Sequence, residues 1–110
     1  MLTADDIPAD EQTAEQSTVT TALVALSGEI DLNNAGEIGE DLVRTLHKNG
    51  SIVVDLSQVS FIDSTAIGMM VRVHKYAGLW RRAITWRGAQ ENPRRVLEIT
   101  GVDQYIQLAD

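Results

Sequence analysis

The sequence predicts a single α/β domain whose sheet contains parallel strand pairs. Three observations carry that expectation. Short runs of β-branched and apolar residues alternate with helix-length segments; a glycine closes each helical segment; and 110 residues make one domain by length.

The first strand is read in "TVTTALVALSG", rich in β-branched and apolar residues and stopping at Gly28. "EIDLNN" follows as a turn, with Asn33 or Asn34 as N-cap of a helix from Ala35 to Lys48. Ala35, Ile38, Leu42 and Leu46 fall three to four apart on one face of that helix. Glu37, Glu40 and Asp41 lie toward its start and His47 and Lys48 at its end, matching the helix dipole. Asn49-Gly50 closes it.

"SIVVDL" is a continuous apolar run, the pattern of a strand covered on both faces, and "SQVSFIDS" reads as a loop. A second helix is expected from Thr65 to Ala77, closed by Gly78; its first half is apolar all round and must be largely buried. "RAITW" is a third strand. Asn92 with Pro93 reads as N-cap and first turn of a third helix ending at Gly101, and "YIQL" as a last strand. Helices between strands imply right-handed crossovers, with ligand or partner sites at the carboxyl ends of strands. Asp31 and Asp63 both follow strands, so with Ser64 they are expected on one edge.

Residues 1–17 carry five acids and no base, and are expected to be a mobile acidic tail, with Leu2 to Ile7 as a candidate edge strand; residues 18–110 form the domain. The first Lys or Arg is Arg44 and no apolar run reaches membrane-span length, so neither a signal peptide nor a membrane association is expected. With no cysteine, disulfides, thiol chemistry and cysteine-ligated metals are excluded, which agrees with the expected cytoplasmic location. Net charge is −7, with 12 acids and 2 bases in residues 1–63 and 4 acids and 7 bases in residues 64–110. An acidic chain whose basic spots are short (Arg81-Arg82, Arg94-Arg95) argues against nucleic-acid binding. Trp80 and Trp86 flank a basic pair, and packing at a sheet edge explains them better than base stacking.

The stretch "FIDSTAIG" raises the sharpest question. Ser64 has three readings. It, or Asp63, could cap the second helix. It could be a nucleophile, but the only histidines, His47 and His74, are distant and no Gly-x-Ser-x-Gly elbow is present. It could accept a phosphate, whose added charge of about −1.5 to −2 would be repelled by Asp63, Asp31 and any acidic or apolar partner surface. Asp55 resembles the phosphoacceptor aspartate of a receiver domain, yet Lys48 and Lys75, the only lysines, both fall on helices; a strand-terminal turn residue is the simpler reading. Phosphate loops and ligand-spaced histidines are absent from the sequence, so no catalytic residue, metal or cofactor is assigned.

"LSGEIDLNNA", "VVDLSQVSFIDSTAIG" and "ENPRRVLEITGVDQYIQL" together resemble the STAS domains, over about Thr18 to Leu108, and in particular the bacterial anti-sigma-factor antagonists. The resemblance implies the STAS fold, a mixed sheet of about four to five strands with helices packed against it. It also implies a partner switch without catalytic machinery or cofactor. The unphosphorylated protein binds an anti-sigma factor, often a serine kinase, and frees a sigma factor; the kinase phosphorylates the antagonist; and a PP2C-type phosphatase restores it. On that pattern Ser64 falls on the phosphorylated serine, with Thr65 as alternative, Asp63 on the aspartate before it and Asp31 on the acidic residue after an earlier strand. Thr65, Ala66 and Ile67 complete the partner-binding segment. The family often has glycine where Ala66 stands, and a methyl there narrows approach by a partner backbone. Two other classes remain: a constitutive STAS scaffold, such as an accessory subunit of a lipid transporter or a stress-signalling assembly, with Ser64 only a cap; and an enzyme or nucleotide-binding module, against which the missing phosphate loop argues.

Overall fold

The computed structural model describes residues 20–110. The expected acidic tail and the candidate strand from Leu2 to Ile7 lie outside the described residues. Within them the order is β1 (Thr21–Ile30), α1 (Ala35–Lys48), β2 (Ser51–Ile62), α2 (Ser64–Leu79), β3 (Ala83–Arg87), α3 (Glu91–Thr100), a 3-10 turn (Val102–Gln104) and β4 (Leu108–Ala109).

The strands pair in the order β1-β2-β3-β4, and every pairing among the described residues is parallel. The antiparallel partner that a mixed sheet requires is not among them. Crossovers that always step the same way across the sheet place α1 and α2 on one face, where they pack against each other. That corrects the reading of β2 as covered on both sides. Ile52, Val54 and Leu56 are buried, whereas Ser51, Val53 and Asp55 are only half-buried. The buried row runs straight across the sheet: Ile52 pairs with Ala22 and Ile84, and Val54 with Val24 and Trp86. Leu42 and Leu46 of α1, Met69, Met70 and Val73 of α2, and Leu97 of α3 join that row in one core cluster. Each such side chain contributes about 1.5–3 kcal/mol on burial.

The segment expected to be a loop, "SQVSFI", is the second half of β2. Its apolar residues recur every third position (Leu56, Val59, Ile62) because β2 carries two extra residues relative to β1. Register shifts fall between Ala25 and Ser27 and between Gly28 and Glu29. Each bulge restores the inward face after an outward step, so Val59 and Ile62 stay buried. Gly28 therefore does not end β1; it takes φ +76° at the second bulge, a conformation open to glycine at little cost. Asp55 is not a strand end: it lies within β2, paired with Ala25 and Arg87 just before the first bulge, its carboxylate accepting from the Ser57 amide at 2.9 Å.

Helix termini differ from expectation in three places. Asn34 makes no side-chain cap for α1; its amide bridges the Asp31 N–H and the Glu29 carbonyl. Gly78 stays inside α2, which closes in a Schellman arrangement: Arg82 N–H donates to Ala77 O, Arg81 N–H to Gly78 O, and Arg81 itself takes φ 57°. The N-cap of α3 is Gln90, and Asn92 instead accepts from the Ile62 N–H. Gly101 does end α3, at φ 77°. The last strand is shorter than "YIQL", because Tyr105 and Ile106 are held by the preceding 3-10 turn. Arg82 also donates to the carbonyls of His47 and Asn49 at the end of α1 and of Trp80 at the end of α2, placing a cation at both C-termini.

Candidate functional site

The carboxyl ends of β1 and β2 lie side by side, since Ile30 pairs with Ile62 and the Asp63 N–H donates to the Ile30 carbonyl. Asp31 and Asp63 are the next residues of each strand, so the edge expected from the sequence is formed. Three elements brace it. The β1–α1 turn is closed by Asp31 O, which accepts from the amides of Asn34 and Ala35. Asn92 at the start of α3 holds Ile62. The cap of α2 is Asp63.

Asp63 sits in extended backbone, and one carboxylate oxygen accepts from the amides of Thr65 at 2.9 Å and Ala66 at 3.1 Å, and from the Thr65 hydroxyl. The Thr65 hydroxyl is the main influence holding the Asp63 carboxyl below its ordinary value. Partial burial opposes it, and the amides of Ala66, Thr65 and Leu32 assist. A depressed carboxyl is a fixed negative charge at neutral pH. The Asp31 carboxylate is held in its own turn by the Asn33 amide at 2.9 Å.

Of the two candidate caps, Asp63 and Ser64, the structure selects Asp63. Asp63 holds the cap, and Ser64 is the first residue of α2, exposed, with no hydrogen bond from its hydroxyl among the described residues. Thr65 is half-buried with its hydroxyl committed to Asp63. Ala66 is fully buried and packs in the core, so its methyl does not stand between the backbone and a partner. Ile67 is half-buried against that core.

The histidines are accounted for elsewhere. His47 meets Trp80 edge-on with ring centroids 5.0 Å apart, and His74 packs against Tyr105. His74 is ten residues along α2 from Ser64, about 15 Å at helical rise. Trp86 is fully buried on an inner strand rather than at a sheet edge, its indole N–H without a partner among the described residues. Sequence reasoning missed two exposed apolar residues flanking the edge: Leu32, 78% exposed beside Asp31, and Phe61, 40% exposed two residues before Asp63. The available signal was Leu32, a large apolar residue in the polar stretch "DLNN", with no periodic place in a helix or strand.

The model of the family described as "Mlab, STAS domain" matches residues 13–109. The chain belongs to the STAS domain family. This STAS domain is 30% identical over 86 residues to the anti-sigma-B factor antagonist of Listeria monocytogenes, covering 77% of this chain and 75% of that one. Its fold is similar to that of an anti-sigma factor antagonist from Mycobacterium paratuberculosis, with TM-score 0.72 at 23% identity, covering 81% and 76% of the two chains. It is also similar to the anti-sigma factor antagonist SpoIIAA in its unphosphorylated form, with TM-score 0.69 at 17% identity, covering 83% and 81%. At such identities the structural likenesses establish the STAS fold alone. No helix among the described residues is long and apolar enough to cross a membrane.

Proposed function

We propose that this STAS domain is an anti-sigma-factor antagonist switched by phosphorylation of Ser64. The observation that carries the reading is the division of labour at α2: Asp63 fills the cap, and the neighbouring Ser64 hydroxyl is exposed and unengaged. A serine that is not needed for the helix is available to a partner. The reading is supported by the curated relative named an anti-sigma-B factor antagonist. It also agrees with the description of SpoIIAA, a protein of the same fold, in both unphosphorylated and phosphorylated forms.

In the unphosphorylated state the carboxyl edge, with Leu32 and Phe61 as apolar contacts and Ser64 at its centre, binds an anti-sigma factor and releases the sigma factor it held. The anti-sigma factor is a serine kinase: the Ser64 oxygen takes the γ-phosphoryl group of its ATP and ADP leaves. The added charge of about −1.5 to −2 stands next to the permanently ionised Asp63 and opposes the partner surface. Because Ser64 is exposed, the phosphate disrupts binding and leaves the core untouched. A PP2C-type phosphatase returns the serine by hydrolysis to inorganic phosphate. The chain supplies no catalytic group of its own to this cycle and works in the cytoplasm. The alternative of a constitutive scaffold gave Ser64 the role of a cap, and that role is filled by Asp63.

The experiment is a tagged pull-down from the native host with wild type, Ser64→Ala and Ser64→Glu, with mass spectrometry of the partners and of Ser64. An anti-sigma factor retained by the first two and lost by the third, with phosphate on wild-type Ser64, supports the switch. The same partners on all three variants, without phosphate, contradicts it.

A further inference from the structure

Ser64, Gly68 and Arg72 stand at successive four-residue steps along α2. Residues four apart on a helix are neighbours, with Cβ atoms about 5–6 Å apart. Long helical side chains lean toward the N-terminus, and that of Arg72 does so: a Cβ placed on Gly68 would lie 3.5 Å from Arg72 Nη1. The guanidinium thus rests over the residue that has no side chain, one turn from Ser64.

Of the other arginines, Arg44 is paired with Asp41, Arg82 with backbone carbonyls at the ends of α1 and α2, and Arg94 with Glu98 and Asp110. Arg87 ends β3 beside Asp55, Arg81 follows α2, and Arg95 lies on α3, so Arg72 is the one arginine on α2 itself. Arg72 is exposed and makes no ion pair among the described residues. Glu40 lines the same groove between α1 and α2, without pairing to it. The one other cation on α2 is Lys75, eleven residues from Ser64.

We infer, building on the reading of Ser64 as phosphoacceptor, that Arg72 is the group that receives the Ser64 phosphate, through the gap that Gly68 leaves on α2. A guanidinium offers a planar pair of donors to two phosphate oxygens. This contact offsets the repulsion from Asp63 and lays the phosphate along the helix instead of toward solvent. Arg72 is a positioning residue for the phosphorylated state and has no part in the unphosphorylated one.

The test installs phosphoserine at position 64 during translation, so that no kinase is needed, and follows the phosphate's second ionisation by 31P NMR. An opposite charge favours the dianion, so Arg72 lowers the midpoint. Arg72→Gln is expected to raise it by about 0.2–0.7 of a pH unit, the scale of an exposed ion pair. Gly68→Leu, which fills the gap, is expected to raise it likewise, and Lys75→Gln to leave it in place; thermal melts confirm that each variant is folded. A midpoint unchanged by Arg72→Gln, or moved equally by Lys75→Gln, overturns the assignment. Affinity for a purified anti-sigma factor separates the two readings. If phosphate abolishes binding but Arg72→Gln does not move the midpoint, only the Arg72 assignment fails. If phosphorylated and unphosphorylated proteins bind equally, the switch itself fails whatever the titration gives.

Discussion

The Thr65 hydroxyl donates to the same Asp63 oxygen that accepts the Thr65 and Ala66 amides. That shared acceptor ties up the aspartate and the threonine of "DST" and leaves the serine between them free. The capping role and the proposed switching role thus fall on adjacent residues, and each can be changed without the other.

The first consequence concerns stability. Asp63→Ala removes the α2 cap and is expected to lower Tm by about 4–8 °C for a domain of this size. Ser64→Ala touches an exposed, unengaged hydroxyl and is expected to stay within about 0.5 kcal/mol of wild type. Thermal unfolding of the two variants checks this, and equal losses in both would mean that Ser64 shares the cap.

The pH dependence arises from the same carboxylate. Asp63 is held below its ordinary value in the folded state. Its contribution is therefore complete above the unfolded carboxylate pKa and is lost as the pH falls through the folded one. The Tm gap between wild type and Asp63→Ala is expected to be constant from pH 7 to about 5 and to shrink below about pH 4. A gap that widens on acidification would contradict this assignment.

Elements with a simple apolar period were legible in the sequence. Helix α1 occurs from Ala35 to Lys48 as its three-four spacing indicates, and the strand–helix alternation gives the parallel sheet. The second half of β2 was hidden because two bulges change its apolar period from two to three, which no strand template contains. Local preference makes Asn34, with Asn33 as alternative, and Asn92 cap candidates. The structure places Asn34 and Asn92 differently. Their side chains instead reach Glu29 five residues back and Ile62 thirty residues back, contacts that sequence spacing does not reveal. At the site, the sequence placed Asp31, Asp63 and Ser64 together but left the cap open between two neighbours. Only the direction of the Asp63 side chain decides that, and only burial removes Ala66 from the surface.

The packing of α1 on α2 gives a paired test. A methyl on Gly39 would meet Met69 Cγ at 2.9 Å, in the buried helix contact, whereas one on Gly36 meets nothing within 4 Å. Gly36→Ala is expected to raise stability by up to about 1 kcal/mol through helix propensity. Gly39→Ala makes the same gain but incurs an overpacking cost of about 1–3 kcal/mol, so it is expected to lower stability. Denaturant unfolding of both variants measures the difference, and a Gly39→Ala protein as stable as Gly36→Ala would show that Met69 moves aside freely.

Arg82 is predicted to be structural. Its guanidinium serves three carbonyls at and just after the ends of α1 and α2, and Arg82→Ala is expected to cost about 1.5–3 kcal/mol. Its neighbour Arg81→Ala leaves those bonds in place and is expected to stay near wild type. Chemical denaturation of the pair checks the contrast; equal stability would show that water satisfies the C-terminal carbonyls of α1 as well as Arg82 does.

The most direct measurement of the proposed switch is calorimetric titration of a purified anti-sigma factor from the native host with three proteins: unphosphorylated wild type, Ser64→Ala, and the chain carrying phosphoserine at position 64. The expected result is equal affinity for the first two and a loss of about tenfold or more for the third, at least about 1.4 kcal/mol, with all three equally folded. Equal affinity for all three would contradict the switch and leave Ser64 a bystander at the head of α2.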